Sequence, residues 1–279
     1  MIAAFLPKFL AWGPDFVGST RPAALMRIGI ALIVFARFGA EVSLFNATSP
    51  LEIALGVTFF MFLTMMLVGY MSRLASAMTG LAILGMYFIG GAAMAVPGWA
   101  HHHVYLLGIA SLLLAMTPCG ASYSVDRLRE LGHGEAPPER GFLWAQRLIA
   151  LQLSALYFWT AIDKTDWAFL SGQRLEQIFV WTYTGRTLEL FLAWPMLLAL
   201  LSSTVVIVEY WLAVAILVPR WRRFALPVGI GLHATFYLLL PVDTYSITAI
   251  TLYLALLDPD AVHRFIDRIQ GHDVAAHRL

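Results

Sequence analysis

The sequence predicts an all-α fold, a polytopic membrane bundle of about eight transmembrane helices with no extramembrane domain. Three observations predict it. Of the 279 residues, 60% are hydrophobic and only 13% charged. Mean hydropathy is +0.75. Apolar runs long enough to cross a bilayer recur from residue 22 to about 258. A soluble domain could not keep so much apolar surface in water. A β-barrel would instead show short strands with alternating lumen and lipid faces, and the chain lacks that pattern.

The opening stretch "MIAAFLPKFLAWGPDF" has neither the basic start nor the small-residue cleavage site of a secretory signal. Residues 1–21 therefore read as an interfacial segment, with Phe5, Phe9, Trp12 and Phe16 at headgroup level. The predicted spans are 22–45, 52–71, 74–96, 102–118, 142–163, 196–218, 224–241 and 244–258, which together make one transmembrane domain. Arg21-Pro22 behind Ser19 and Thr20 suits a helix start. Between the fourth and fifth spans, "SVDRLREL" predicts a short helix capped by Ser124 and stopped at Gly132, followed by the connection "GHGEAPPERG". Residues 259–279 predict a cytoplasmic amphipathic helix. Asp258 caps it, Pro259 opens it, and Val262, Phe265, Ile266 and Ile269 share one face. That face reads as lying on the inner membrane surface, with a soluble protein partner as the alternative.

Basic residues near span ends set the expected orientation. With both termini cytoplasmic, the inner segments hold Arg73, Arg127, Arg129, Arg140, Arg220, Arg222, Arg223, Arg264, Arg268 and Arg278. The outer segments hold chiefly Lys164, Arg174 and Arg186, beside Asp163, Asp166 and Glu176. A net charge of +1 without a basic tract gives no expectation of a nucleic-acid partner. The single cysteine, Cys119, excludes an internal disulfide.

The stretch "YFWTAIDKTDWAFLSG", residues 157 to 172, concentrates charge where an aromatic helix ends. Lys164 follows Arg147 by roughly 26 Å of helix, about the apolar thickness of a bilayer. Two readings are open. The lysine snorkels at the outer surface and pairs with Asp163 or Asp166, or it packs inside the bundle as an amine available for proton transfer. "GWAHHHVYLLG" sets His101, His102 and His103 at the outer start of the fourth span. Successive helical residues diverge by about 100°, so three adjacent histidines cannot converge on one metal. His101 and His103 would share one only from an extended segment, a weak motif beside one inward-facing histidine. Glu209 and His233 fall mid-span, where ionisable groups usually face the bundle interior; they either form structural hydrogen-bonded pairs, with each other as one choice, or act in function. Arg37 and Glu41 stand four apart and should pair. Arg27 reads as a snorkelling arginine near the inner end of its span.

Several of these motifs together resemble vitamin K-dependent gamma-carboxylases and their bacterial relatives with the horizontally transferred transmembrane (HTTM) domain. "ALYFWTAIDKTDWAFLSG" is similar to the family's aromatic helix leading to a lysine, a Trp-containing turn and a glycine. "GWAHHHVYLLG" resembles its Trp…His…Tyr-Leu-x-Gly segment, "LMRIGIAL" its first-span Arg motif through Arg27, and "YSVDRL" its Ser-x-Asp loop through Ser124 and Asp126. "VGYMSRLASAM" fits its Gly-x-x-x-Arg-Leu turn, while "IVEYWL" and "GLHATF" match looser late-span patterns. The resemblance covers roughly residues 22 to 257.

The resemblance implies a multi-pass protein of a bacterial inner membrane, with Lys164 as catalytic base and His103 assisting it. Lys164 as free amine would deprotonate a reduced quinone of the vitamin K or menaquinone type, dioxygen would generate a stronger base from it, and carbon dioxide is a possible co-substrate. Tyr157, Trp159, Trp167, His102, Arg27, Glu209 and His233 are the expected quinone or substrate contacts. The partners implied are the lipid bilayer, the quinone and a small or peptide substrate. The chain departs from the carboxylases in three respects. Asp163 stands where they carry a second lysine, Ile162 replaces a glycine, and their large domain after the spans has no counterpart. A non-catalytic binder of lipid, quinone or a partner is the alternative. A metal or solute transporter built on His101–His103 and Glu209 is another, although paired repeats are missing.

Overall fold

The computed structural model describes residues 16–42, 47–96, 99–135, 137–182, 192–240 and 242–271. Phe5, Phe9, Trp12, Arg186 and Arg278 lie outside the described residues. Among the described residues the secondary structure is helical apart from one two-stranded ribbon. It divides into two compact units: residues 1–149 with 251–279, and residues 150–250.

The first unit opens with β1 (Val17–Ser19) and α1 (Arg21–Phe38), continues through α2 (Pro50–Val68), α3 (Ser72–Gly85) and α4 (His102–Ala115), and adds the short α5 (Val125–Gly132) and β2 (Arg140–Phe142). Helix α3 runs on as a π-helical stretch to Ala93. Chain starts and stops follow local chemistry. Ser49 accepts from the Glu52 amide, and the Glu52 carboxylate reaches back to the Thr48 amide at 2.7 Å, so donors on both sides of the α2 start are satisfied reciprocally. At the far end Gly69 adopts φ +74, the left-handed conformation that ends a helix. Helices α3 and α4 meet at small residues. A Cβ on Gly80 would come within 2.9 Å of the Gly108 carbonyl oxygen, so this close backbone approach needs glycine. Helix α5 occupies the predicted interval, with Ser124 accepting from the Arg127 amide.

Strands β1 and β2 pair antiparallel, Val17 opposite Phe142, and were not expected from sequence. Thr20 does not cap α1 with its side chain; its hydroxyl bonds instead to Ser122. The chain returns to this unit late in α11 (Asp243–Leu252), passes a 3₁₀ turn over Tyr253–Leu256 and forms α12 (Pro259–Ile269). Asp258 caps α12 through the Asp260 and Ala261 amides, with Pro259 in its first turn, as predicted.

The second unit holds α6 (Trp144–Asp163) from Ala150 onward, the one-turn α7 (Trp167–Leu170), α8 (Gln173–Thr182), α9 (Pro195–Ala215), α10 (Pro219–Leu239) and α11 up to Ile250. Asp166 caps α7 by accepting from the Phe169 amide. Gly172 adopts φ +82, and a Cβ there would meet the Ala199 amide at 2.6 Å. Glycine is therefore required both by conformation and by the approach of α9.

Each of the eight predicted spans overlaps a helix, but among the described residues three helices are long and apolar enough to cross a membrane by themselves: Pro50–Val68, Ser72–Ala93 and Pro195–Ala215. His102–Ala115 is apolar but shorter. Helix α1 stops at Phe38 rather than at 45, and α10 begins at Pro219, five residues before its predicted start.

Candidate functional site

In the second unit the buried face of α6 carries Leu153, Tyr157 and Ala161 at successive turns. Lys164 continues that stripe at the helix end, three residues beyond Ala161. Helix α9 has a matching buried stripe: Leu198, Ser202, Val206 and Glu209. The two stripes meet at Lys164, whose Nζ donates to both carboxylate oxygens of Glu209 at 2.9 Å. The glutamate side chain is 1% exposed and the lysine 22%, so the lysine reaches inward from the edge.

The adjacent carboxylates do not take the lysine. Asp166 caps α7 and pairs with Arg174 at 3.1 Å, while Asp163 is exposed. The snorkelling reading with Asp163 or Asp166 as partner is thus replaced by a pair across two helices. An expected Glu209–His233 pair is also replaced. His233 Nε2 lies 2.7 Å from the Tyr157 hydroxyl, both residues fully buried, and the Tyr245 ring stands edge-on to the imidazole at 5.3 Å. Tyr157 precedes Lys164 by about two helical turns on the same stripe. Nearby, the Thr165 hydroxyl donates to the Ala161 carbonyl at 2.7 Å and sits 3.0 Å from the Tyr210 hydroxyl.

Other predicted residues lie elsewhere. Trp159 and Trp167 are exposed, the latter at 82%, and neither joins the Lys164 group. In the first unit His101 and His102 are exposed and His103 is half-buried. His101 precedes α4 in an extended conformation, and its ring stacks on that of His103 at 5.4 Å. Among the described residues no three His, Cys, Asp or Glu side chains gather to hold a metal. The upstream Trp99 is fixed from the end of α1, its indole donating to Glu41 at 2.5 Å, and Glu41 also pairs with Arg37 as predicted.

Arg27 does not snorkel. It is fully buried and donates to the backbone carbonyls of Met66, Leu67, Cys119 and Tyr123. Asp126 completes this clasp by accepting from the Met71 amide and from the Ser72 amide and hydroxyl, each at 2.8 Å. Arg27 thus ties the last turn of α2 to the loop before α5, and Asp126, in the first turn of α5, ties that helix to the turn between α2 and α3. The correction has a physical cause: carbonyls freed at two helix ends need donors, and a guanidinium supplies several in one plane.

Sequence reasoning missed Ser202. Ser202 was visible in retrospect, because it stands seven residues before Glu209 and so shares its helical face.

The model of the HTTM domain matches residues 33–260. The chain belongs to the HTTM family. No curated protein and no solved structure matches it. The HTTM domain is associated with vitamin K-dependent carboxylase-like membrane proteins, and the three apolar helices agree with a membrane location for this HTTM protein. The matched region contains Lys164, Glu209, His233 and the three histidines; Arg27 precedes it.

Proposed function

We propose that this HTTM protein is a quinone-linked membrane enzyme in which Lys164 is the base and Glu209 decides where the lysine's proton resides. The observation that carries the proposal is the contact of Lys164 Nζ with both oxygens of a buried carboxylate. An ammonium–carboxylate pair removed from water is costly at both ends. Passing one proton from Nζ to Glu209 leaves a neutral amine beside a neutral acid and removes both charges. That exchange supplies a free amine without bulk water.

A buried polar group on the Glu209 face of α9 suits a quinone. The Ser202 hydroxyl has no hydrogen-bond partner among the described residues, and a quinone oxygen accepts from such a donor. Lys164, Glu209 and Ser202 are the residues that would hold the ring. Once bound, the quinone would supply the redox chemistry with dioxygen. Lys164 would then take the quinol's proton at Nζ and become an ammonium again. Glu209 would hold the proton that the lysine gave up until it leaves to water at the partly exposed lysine end. The Tyr157–His233 pair fixes the wall behind them. The substrate is a small molecule or peptide, with carbon dioxide as the co-substrate if carboxylation is retained. The same proposal takes all eight helical segments as spans, with the arginine-rich segments and both termini on the cytoplasmic side of a bacterial inner membrane.

The strength of the ion pair favours a second reading: a locked scaffold that binds lipid or quinone without turnover. Purified protein given a reduced naphthoquinone and dioxygen separates them. Oxygen uptake and quinone epoxide that disappear in Lys164→Met and fall in Glu209→Gln and His103→Ala support the enzyme. Quinone binding without any lysine-dependent product leaves the scaffold.

A further inference from the structure

Helix α12 is built inside out. Its charged arc, Asp260, His263 and Asp267, points at its own unit. Asp267 is buried and bound to Arg21 at 2.6 Å, His263 Nδ1 lies 2.9 Å from the Ser19 hydroxyl, and Asp260 accepts from the Ser19 amide and from Arg140. The opposite arc is apolar and faces outward, with Phe265 63% and Ile269 70% exposed. Water-facing helices place these arcs the other way round. At about 100° per residue, Arg268 and Arg264 flank Phe265 and Ile269 on one border of the apolar arc, and both arginines are exposed.

The same unit repeats the pattern twice. Helix α5 exposes Leu128 and Leu131 beside the exposed Arg129. In the ribbon the cross-strand pair Val17 and Phe142 is exposed beside Arg140. An apolar face bordered by arginines on a short, strongly amphipathic helix matches the boundary between acyl chains and anionic headgroups. The ribbon supports this orientation, because the bonds from Asp260 to Ser19 and Arg140 prevent α12 from rolling its apolar arc inward.

We propose that the outward face of α12 is a lipid-binding surface seated in the headgroup region of an anionic leaflet, with Phe265 and Ile269 among the upper acyl chains and Arg264 and Arg268 on lipid phosphates. The surface does not depend on the Lys164 chemistry, so either proposal can fail alone.

The test uses the full chain in nanodiscs, in a Cys119→Ala background. A fluorophore is placed at Phe265→Cys, at Ile269→Cys, or at the exposed control Glu135→Cys. Brominated phosphatidylglycerol and brominated phosphatidylcholine are compared as quenchers, with iodide as the aqueous quencher. The expected result is shielding from iodide at 265 and 269 but not at 135. Quenching there should favour phosphatidylglycerol over phosphatidylcholine by up to roughly 25-fold at low salt, about five-fold for each of the two arginines. Arg264→Gln with Arg268→Gln should abolish that preference while leaving the iodide shielding. Iodide access equal to the control overturns the proposal. Equal quenching by the two lipids overturns the anionic assignment. Shielding from both iodide and bromolipid would mean that a second copy of the chain covers the face, and would also overturn it.

Discussion

Two inward-turned cations, the buried Arg27 in the first unit and the half-buried Lys164 in the second, have different partners, and the partners determine what each can do. Arg27 is sealed among backbone carbonyls, which accept hydrogen bonds but no proton. Lys164 faces a carboxylate that can accept its proton, and its own side chain is still partly exposed. The first arrangement can only hold a helix end and a loop together; the second has two proton placements. Burial alone would rank Arg27 above Lys164. The chemistry of the acceptor ranks Lys164 first for function.

The contrast breaks most readily at Arg27. Arg27→Met should strand four carbonyls and destabilise the protein by about 5 kcal/mol, or prevent folding altogether. Thermal unfolding in detergent measures it. A midpoint within about 2 °C of the parent would show that the clasp is dispensable. Arg27→Lys should recover little, because one ammonium cannot reproduce a planar set of donors.

The Lys164–Glu209 pair comes next. Lys164→Met alone leaves a buried carboxylate without its cation and should cost about 3 kcal/mol. The double variant Lys164→Met with Glu209→Leu should regain most of that stability while remaining inactive. A cycle with no coupling between the two sites would mean that the contact contributes nothing to the fold. Recovery of stability without recovery of activity would separate the pair's structural part from its chemical part.

A smaller effect is expected behind the pair. Tyr157→Phe removes the hydroxyl at 2.7 Å from His233 Nε2 and should cost about 1–2 kcal/mol. If the tyrosine only supports the wall, quinone affinity should hardly move while unfolding shifts. A larger fall in turnover than in stability would promote Tyr157 from support to participant.

Much of this arrangement was legible in the sequence, for identifiable reasons. Arg21-Pro22 behind Thr20, Pro259 behind Asp258 and the Ser124 cap announce helix starts through local chemistry, and the structure places them there. The inward direction of Lys164 was also available, since Leu153, Tyr157, Ala161 and Lys164 fall on one helical stripe. Its partner was not, because Glu209 lies 45 residues away and only the packing of α9 selects it over the nearer Asp163 and Asp166. Arg27 was misread for the same reason: its acceptors are backbone carbonyls of the last turn of α2 and of the loop before α5, which leave no mark in composition. The ribbon escaped notice because "VGS" and "RGF" are three residues each with a central glycine, too short for alternation to show.

That ribbon provides the smallest prediction and the one most sensitive to surroundings. Arg140 meets both Asp260 oxygens, at 2.8 and 3.2 Å, but its side chain is 51% exposed and its partner's 38%. In water such a pair contributes little, because solvent screens it and two mobile side chains must be held still. Arg140→Ala should therefore shift stability by less than about 0.5 kcal/mol in detergent. Asp267→Asn, at the buried end of the same helix, should cost several times more, because it weakens the 2.6 Å bond from Arg21. In a lipid bilayer the order should hold, but the Arg140 effect should grow if headgroups displace water around α12. An Arg140 effect that is equally small in detergent and in anionic nanodiscs would place the ribbon in free water and leave α12 as the sole lipid contact at that end of the unit.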